Sequence, residues 1–300
     1  MNTKTKMALI GLGSMGYGMA SSLLRAGYPV YGFDVTTANV ERFCNDGGLR
    51  GSIEQVLPTV EIAVIVVLNA AQAEAVLFGE SGIVQHMKPG TCVISCATMA
   101  PSTACDLATR CAQKKIRYLD APISGGAIKA AAGKLSIMAS GPAETFLTAQ
   151  PALDAMAETV FELGDQVGSG SAMKSVNQLL AGVQIASMGE AMTFGIKQGI
   201  AAEKIVEVIT ASAGNSWMFE NRAPHVVAGD YTPHSAVDIW LKDLGIVLDI
   251  AKTQGFSAPL TAAAMQQFIA ASGSGWGQED DAAVAKVYAR NANITLPGDK

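Results

Sequence analysis

At 300 residues, 49 % of them hydrophobic, the chain is long enough to bury a sizeable core and to form two domains. Its 26 acidic and 21 basic residues leave a net charge of −5 with no lysine/arginine cluster, which argues against nucleic acid as a partner. Five cysteines form no CxxC pair and three histidines join no HxxxH or Cys/His cluster, so no metal site is expected and the thiols read as reduced, in a cytoplasmic protein.

The basic start, MNTKTK, runs into a short apolar stretch broken by glycines, which reads as a strand rather than a signal peptide. That strand is Met7–Ile10, and Gly11-Leu12-Gly13-Ser14-Met15-Gly16 follows it. An amphipathic stretch then carries Met15, Met19, Leu23 and Leu24 on one side and ends at Gly27. The next apolar run, Pro29–Phe33, ends in Asp34, 18 residues after Gly16. Strand, glycine turn, helix, strand and acid together form a dinucleotide-binding fingerprint. Gly11 permits the tight turn, Gly13 a close approach to the pyrophosphate, and Gly16 close packing of helix on strand. The phosphates are expected on the positive helix N-terminus, and Asp34 on the adenosine ribose hydroxyls. Val35, Thr36 and Thr37 put no arginine behind the acid, which favours NAD over NADP.

Strand and helix patterns keep alternating. Strands are expected at 62–68, 91–94, 117–119, 135–139 and 159–163, with helices at 101–115 and 143–156. The run at 62–68 is continuously apolar, as in a buried parallel strand, and ends in Asn69. The strand at 91–94 leads to Thr98, and the one at 117–119 to Asp120-Ala-Pro-Ile-Ser124-Gly125-Gly126. This alternation indicates a doubly wound α/β sheet over residues 1–164. After Gly164 the strand signals vanish, and 165–300 reads as an all-helical domain joined by a long helix. The tail from Asn291 is expected to be loosely held.

The long helix lies in Gly168–Gly199, with Ser171 as a candidate cap. Lys174 and Asn177 fall about 60° apart on one face of its first turns, at the head of a stripe continued by Ala181, Ile185, Met188 and Met192. A second stripe of Gly182, Ala186, Gly189 and Thr193 points to a closely crossing helix, within the chain or in a second copy. Lys174, Asn177, Gln178, Gln184 and Glu190 argue against a membrane span.

A nicotinamide enzyme acting on an alcohol needs a group to take the hydroxyl proton. No histidine sits at a strand end or glycine turn, which leaves Lys174, its charged form disfavoured by burial and the helix dipole. The alternative is a lysine that snorkels to solvent. Ser124-Gly125-Gly126 can present backbone N–H groups and a hydroxyl to a carboxylate, or can be an ordinary turn. Lys242-Asp243 is either a functional pair in an apolar helix or a surface ion pair, and His225 and His234 read as structural.

The motifs Gly11–Gly16, Asp120–Gly126, Lys174-Ser-Val-Asn177 and Lys242-Asp243-Leu stand in the order and spacing of the β-hydroxyacid dehydrogenases. The chain resembles that family over essentially its whole length. The resemblance implies a Rossmann-type domain, a helical domain and an active site in the cleft between them. It implies Lys174 as catalytic acid/base and Asn177 with Ser124–Gly126 as substrate contacts. Asn69, Thr98 and Lys242 would flank the nicotinamide end of NAD. Residues 178–182, 213–222 and 229–238 are similar to the branch acting on four-carbon acid sugars, which implies oxidation at C2 of a small polyhydroxy acid, L-threonate. The small-residue stripe and the helical C-terminal half fit a homo-oligomer, dimer or tetramer, and equally fit packing within one chain. Activity on 3-hydroxyisobutyrate or tartronate semialdehyde is the alternative within the family. A non-catalytic dinucleotide reader is the alternative of another class. Two departures from the family pattern are Ala97, where many members have serine, and Gln178, where asparagine is common.

Overall fold

A computed structural model describes residues 4–298. The first three residues of MNTKTK and the last two of the tail lie outside that range. The chain divides into two compact units, Met1–Lys174 and Ser175–Lys300, and the division falls inside the long helix.

The first unit runs β1 (Met7–Ile10), α1 (Ser14–Arg25), β2 (Val30–Phe33), α2 (Thr37–Asn45), α3 (Ile53–Val56), β3 (Ile62–Ile65), α4 (Ala70–Phe78), β4 (Cys92–Ser95), α5 (Pro101–Gln113) and β5 (Arg117–Asp120). Then come β6 (Ile123–Ser124), α6 (Gly126–Ala132), β7 (Leu135–Ala139), α7 (Ala143–Met156), β8 (Ala157–Glu162) and the start of α8 (Ser169–Lys197). Strands β1 to β5 form a parallel sheet in the order β2-β1-β3-β4-β5. The apolar runs are continuous because both faces are covered. Met7, Leu9, Ile62, Val64 and Ile94 pack against Met19 and Leu23 of α1 and Leu153 and Met156 of α7. Their neighbours Ala8, Ile10, Ala63, Ile65 and Val93 pack on the opposite side with Leu77, Leu107 and Cys111.

The strands at 135–139 and 157–162 do not extend that sheet. They form a separate three-stranded sheet in the order β6-β7-β8, tied to β5 by the Asp120–Ser140 bridge. Helices α2, α3, α4 and α6 and strand β6 are additions to the elements expected from the sequence, since two to nine residues of mixed pattern carry little periodicity.

The second unit contains the rest of α8, then α9 (Ala202–Thr210), α10 (Trp217–Ala228), α11 (Val237–Gln254), α12 (Pro259–Ala271) and α13 (Val284–Ala292). Its core joins Ile185, Met188 and Met192 of α8 to Trp240, Leu244 and Phe268, with Trp240 stacked on Phe268 at 5.7 Å. The small-residue stripe is used within the chain. A Cβ on Gly182 would meet Leu244 at 2.7 Å, and one on Gly189 would meet Ala285 at 3.2 Å. Helix α8 is long and apolar enough to cross a membrane, yet Lys174, Ser175 and Gln178 are buried on it and its apolar stripe lines this core. The tail is better held than its Pro and Gly suggest, for Leu296 is buried and Pro297 lies against Gly229.

Candidate active site

All five strands of the parallel sheet end at one edge, and the sequence-nominated residues of the first unit follow those ends. β1 leads into Gly11 at φ +98°, where a Cβ would lie 2.1 Å from the Val66 carbonyl oxygen, so only glycine fits. Gly13 precedes α1 and offers no side chain to cap it, and the first turn carries no acid. A Cβ at Gly13 would meet nothing within 4 Å. The turn is therefore open on that side, above the N–H groups of Ser14, Met15 and Gly16 that the helix leaves without partners of its own. At Gly16 a Cβ would stand 1.8 Å from the Gly11 carbonyl oxygen, so this glycine clears the turn itself rather than the strand. Open backbone under a positive helix end fits a pyrophosphate.

Asp34 anchors the turn. Leu12 N–H donates to its Oδ2 at 2.6 Å and Thr36 N–H to its Oδ1 at 2.7 Å. Each carboxylate oxygen keeps a lone pair, and the residue is partly exposed, as a ribose contact requires. Asn69 follows β3 and caps α4, its Oδ1 accepting from Gln72 N–H at 2.9 Å, with Nδ2 outside that cap. Thr98 follows β4 half-buried beside the buried Ala97. Burial pushes the nearby Cys96 thiol up to about 12, which makes it inert as a nucleophile.

Ser124 closes β6, half-buried, and the turn after it has Gly125 at φ +132° and Gly126 at φ +74°. A Cβ at Gly125 would strike the Lys129 side chain at 2.9 Å, whereas Gly126 is open.

Asp120 ends β5 and is not among the candidate site residues of the sequence. It is 1 % exposed, and its Oδ2 accepts from the N–H groups of Gly168 at 3.1 Å and Ser171 at 2.8 Å. Ser171 Oγ donates to Oδ1 at 2.7 Å, and Ser140 Oγ adds a contact at 3.3 Å. Desolvation raises the Asp120 pKa, opposed by these hydrogen bonds. Ser171 is thus not the cap: α8 starts at Ser169, and a carboxylate borrowed from β5 binds the N–H groups of its first turn. One turn on is Lys174, 7 % exposed. A lysine snorkelling to solvent does not match that burial.

In the second unit, Asn177 Nδ2 donates to Gln178 Oε1 at 2.9 Å, and Gln178 Nε2 donates to Asp243 Oδ2. Lys242 Nζ lies 2.8 Å from Asp243 Oδ1. Lys242-Asp243 is therefore no surface pair, since the Asp243 side chain is 4 % exposed. The segment Asn215–Arg222 serves structure. Ser216 caps α10 by accepting from Phe219 N–H, and Arg222 pairs with the buried Asp281, which also accepts from Trp240 Nε1 at 2.9 Å. His225 Nδ1 sits 2.8 Å from buried Asp280. Spacing could not foretell the Asp120–Gly168 and Gln178–Asp243 bonds, because they span 48 and 65 residues of chain.

Residues 6–164 match the family model described as the NAD binding domain of 6-phosphogluconate dehydrogenase. Residues 168–288 match that described as the NAD-binding of NADP-dependent 3-hydroxyisobutyrate dehydrogenase. The chain belongs to the β-hydroxyacid dehydrogenase family. It is an NAD-binding oxidoreductase of that family, with the N-terminal Rossmann-type and C-terminal helical organisation expected. An L-threonate dehydrogenase of Cupriavidus necator is 48 % identical, over 97 % of this chain and 98 % of the relative. One of Escherichia coli is 46 % identical, over 98 % and 97 %. A crystal structure described as 3-hydroxyisobutyrate dehydrogenase from Salmonella typhimurium superposes with a TM-score of 0.90 at 44 % identity, over 95 % of this chain and 100 % of that one.

Proposed function

We propose that the protein oxidises the C2 hydroxyl of L-threonate to 2-oxotetronate, with NAD as oxidant. The observation that carries the chemistry is Lys174, buried to 7 % exposure on a helix start that Asp120 fixes to the end of β5. Several relatives at 44–48 % identity over nearly full length bear the L-threonate dehydrogenase name, which supports the substrate. Gly11–Gly16 would hold the pyrophosphate, Asp34 the adenosine ribose, and Asn69, Thr98 and Lys242 the nicotinamide end. Bound there, NAD supplies a hydride acceptor. Lys174 Nζ, as the neutral amine, takes the hydroxyl proton while the C2–H bond gives up its hydrogen with both electrons, leaving C=O. Ser124, Gly125 and Gly126 would hold the carboxylate, and Asn177 a substrate oxygen. Asp34, with no arginine behind it, favours NAD over NADP.

The Salmonella match favours a second reading, 3-hydroxyisobutyrate as substrate. Steady-state NAD reduction against stereoisomeric four-carbon acids, 3-hydroxyisobutyrate and glycerate separates the two. L-threonate is expected to give the highest kcat/KM, and Lys174→Ala to lower kcat by about 10²–10⁴ with NAD binding kept. A preference for 3-hydroxyisobutyrate defeats the substrate reading, and native turnover by Lys174→Ala defeats the base. Five free thiols fit a cytoplasmic protein, and the exposed Leu180 and Phe194 on α8 fit a homo-oligomer.

A further inference from the structure

Asn177 belongs to a chain of side chains whose donor and acceptor roles are set from one end. Asp243 is 3 % exposed on α11, with Lys242 Nζ at 2.8 Å. A carboxylate beside an ammonium accepts hydrogen bonds and donates none. Gln178 Nε2 donates to it. With the Gln178 amide reversed, two oxygens would face each other in a buried setting, so Oε1 is forced toward Asn177. Asn177 answers with Nδ2, at 2.9 Å. The end of Asn177 that this relay does not use is Oδ1.

We propose that Gln178 is a positioning and specificity-determining residue: backed by Asp243, it holds the Asn177 amide so that Oδ1 is offered to the substrate as an acceptor for a hydroxyl hydrogen. The inference deepens the reading of Asn177 as a substrate contact and rests on it. An amide oxygen accepts from an alcohol and repels a carbonyl or carboxylate oxygen. A site built to bond a substrate hydroxyl discriminates strongly against an analogue that lacks it. The relay thus selects a polyhydroxy acid over one carrying a methyl group at that position.

Two variants test this. Gln178→Met breaks the relay at all pH values. It is expected to raise KM for the hydroxy acid about tenfold, the effect of one hydrogen bond, with KM for NAD unchanged. Gln178→Glu restores the relay only when protonated, because a carboxylic acid donates one hydrogen and accepts at its carbonyl, as the native amide does. Its KM is expected near the native value at low pH, rising as the new carboxyl ionises against Asp243. The charged groups around position 178 are Asp243 and Lys242 on α11 and Lys174 one turn earlier on α8. All three are present in the native protein too, so the variant-to-native KM ratio isolates the new carboxyl. A KM ratio flat with pH in Gln178→Glu, or a Gln178→Met variant that loses kcat at unchanged KM, overturns the proposal. The side-chain amide resonance of Asn177, identified by its loss in Asn177→Asp, gives a readout without turnover. It should move with pH in Gln178→Glu beyond any native shift, and a trace matching the native one overturns the relay. Failure of L-threonate as substrate shows in the native protein, whereas failure of the relay shows only in the variants.

Discussion

Asp120→Ala tests whether a buried carboxylate holds the start of α8. The change deprives the Gly168 and Ser171 N–H groups of their acceptor, together with the hydroxyls of Ser171 and Ser140. Each buried donor left unsatisfied costs about 1–3 kcal/mol, and removing a desolvated carboxylate offsets part of that, which leaves a net loss of about 3 kcal/mol. For a unit of this size each kcal/mol lowers Tm by about 2–4 °C, so the first unit should melt about 6–12 °C earlier in a scanning calorimeter. Lys174 lies one turn beyond Ser171, so kcat should fall as well. Asp120→Asn keeps an acceptor for the two N–H groups and should recover most of the stability. It should also remove a pH dependence. Burial raises the Asp120 pKa, so the folded chain holds this proton at a pH where the unfolded chain has lost it. The corresponding stability is complete below the unfolded value and is lost as pH rises through the folded one. An Asp120→Ala protein with native Tm and native kcat would refute the reasoning.

The glycine turn separates binding from folding. Gly13→Val places its side chain in open space and should abolish NAD binding, followed by cofactor fluorescence, with Tm unchanged; Gly16→Ala puts a methyl 1.8 Å from the Gly11 carbonyl oxygen and should lower Tm outright. On α8, Gly189→Val should lower Tm by opening the contact with Ala285, whereas Phe194→Ser, 67 % exposed in the native chain, should leave Tm within about 1 °C and shift the mass seen in sedimentation toward the monomer.

Local periodicity carried most of the fold. The apolar runs at β1 and β3, the glycine turn, Asp34 and the 14-residue α7 were all legible because each is a short-range pattern in one element. Lys174 was legible as an oddity, a charged residue heading an apolar stripe, and its burial argues against a side chain that snorkels to solvent. The split of the strands into a five-stranded and a three-stranded sheet was not legible, because an apolar run does not encode its neighbour. The small-residue stripe announced a close crossing without saying what crosses. The structure supplies α11 at Gly182 and α13 at Gly189, both in the same chain.

By itself the sequence determined the dinucleotide turn, the alternation of strands and helices before Gly164 with helices alone after it, and the lysine that heads α8. Those properties depend on residues within a turn or two of each other, where steric fit and helix or strand period act directly. Tertiary structure alone decided that Asp120 binds the first turn of α8 from 51 residues away, and that Gln178 reaches Asp243 across 65. Both are buried polar groups. Burial obliges each to find a partner, and the folded path of the chain rather than its order chooses which one.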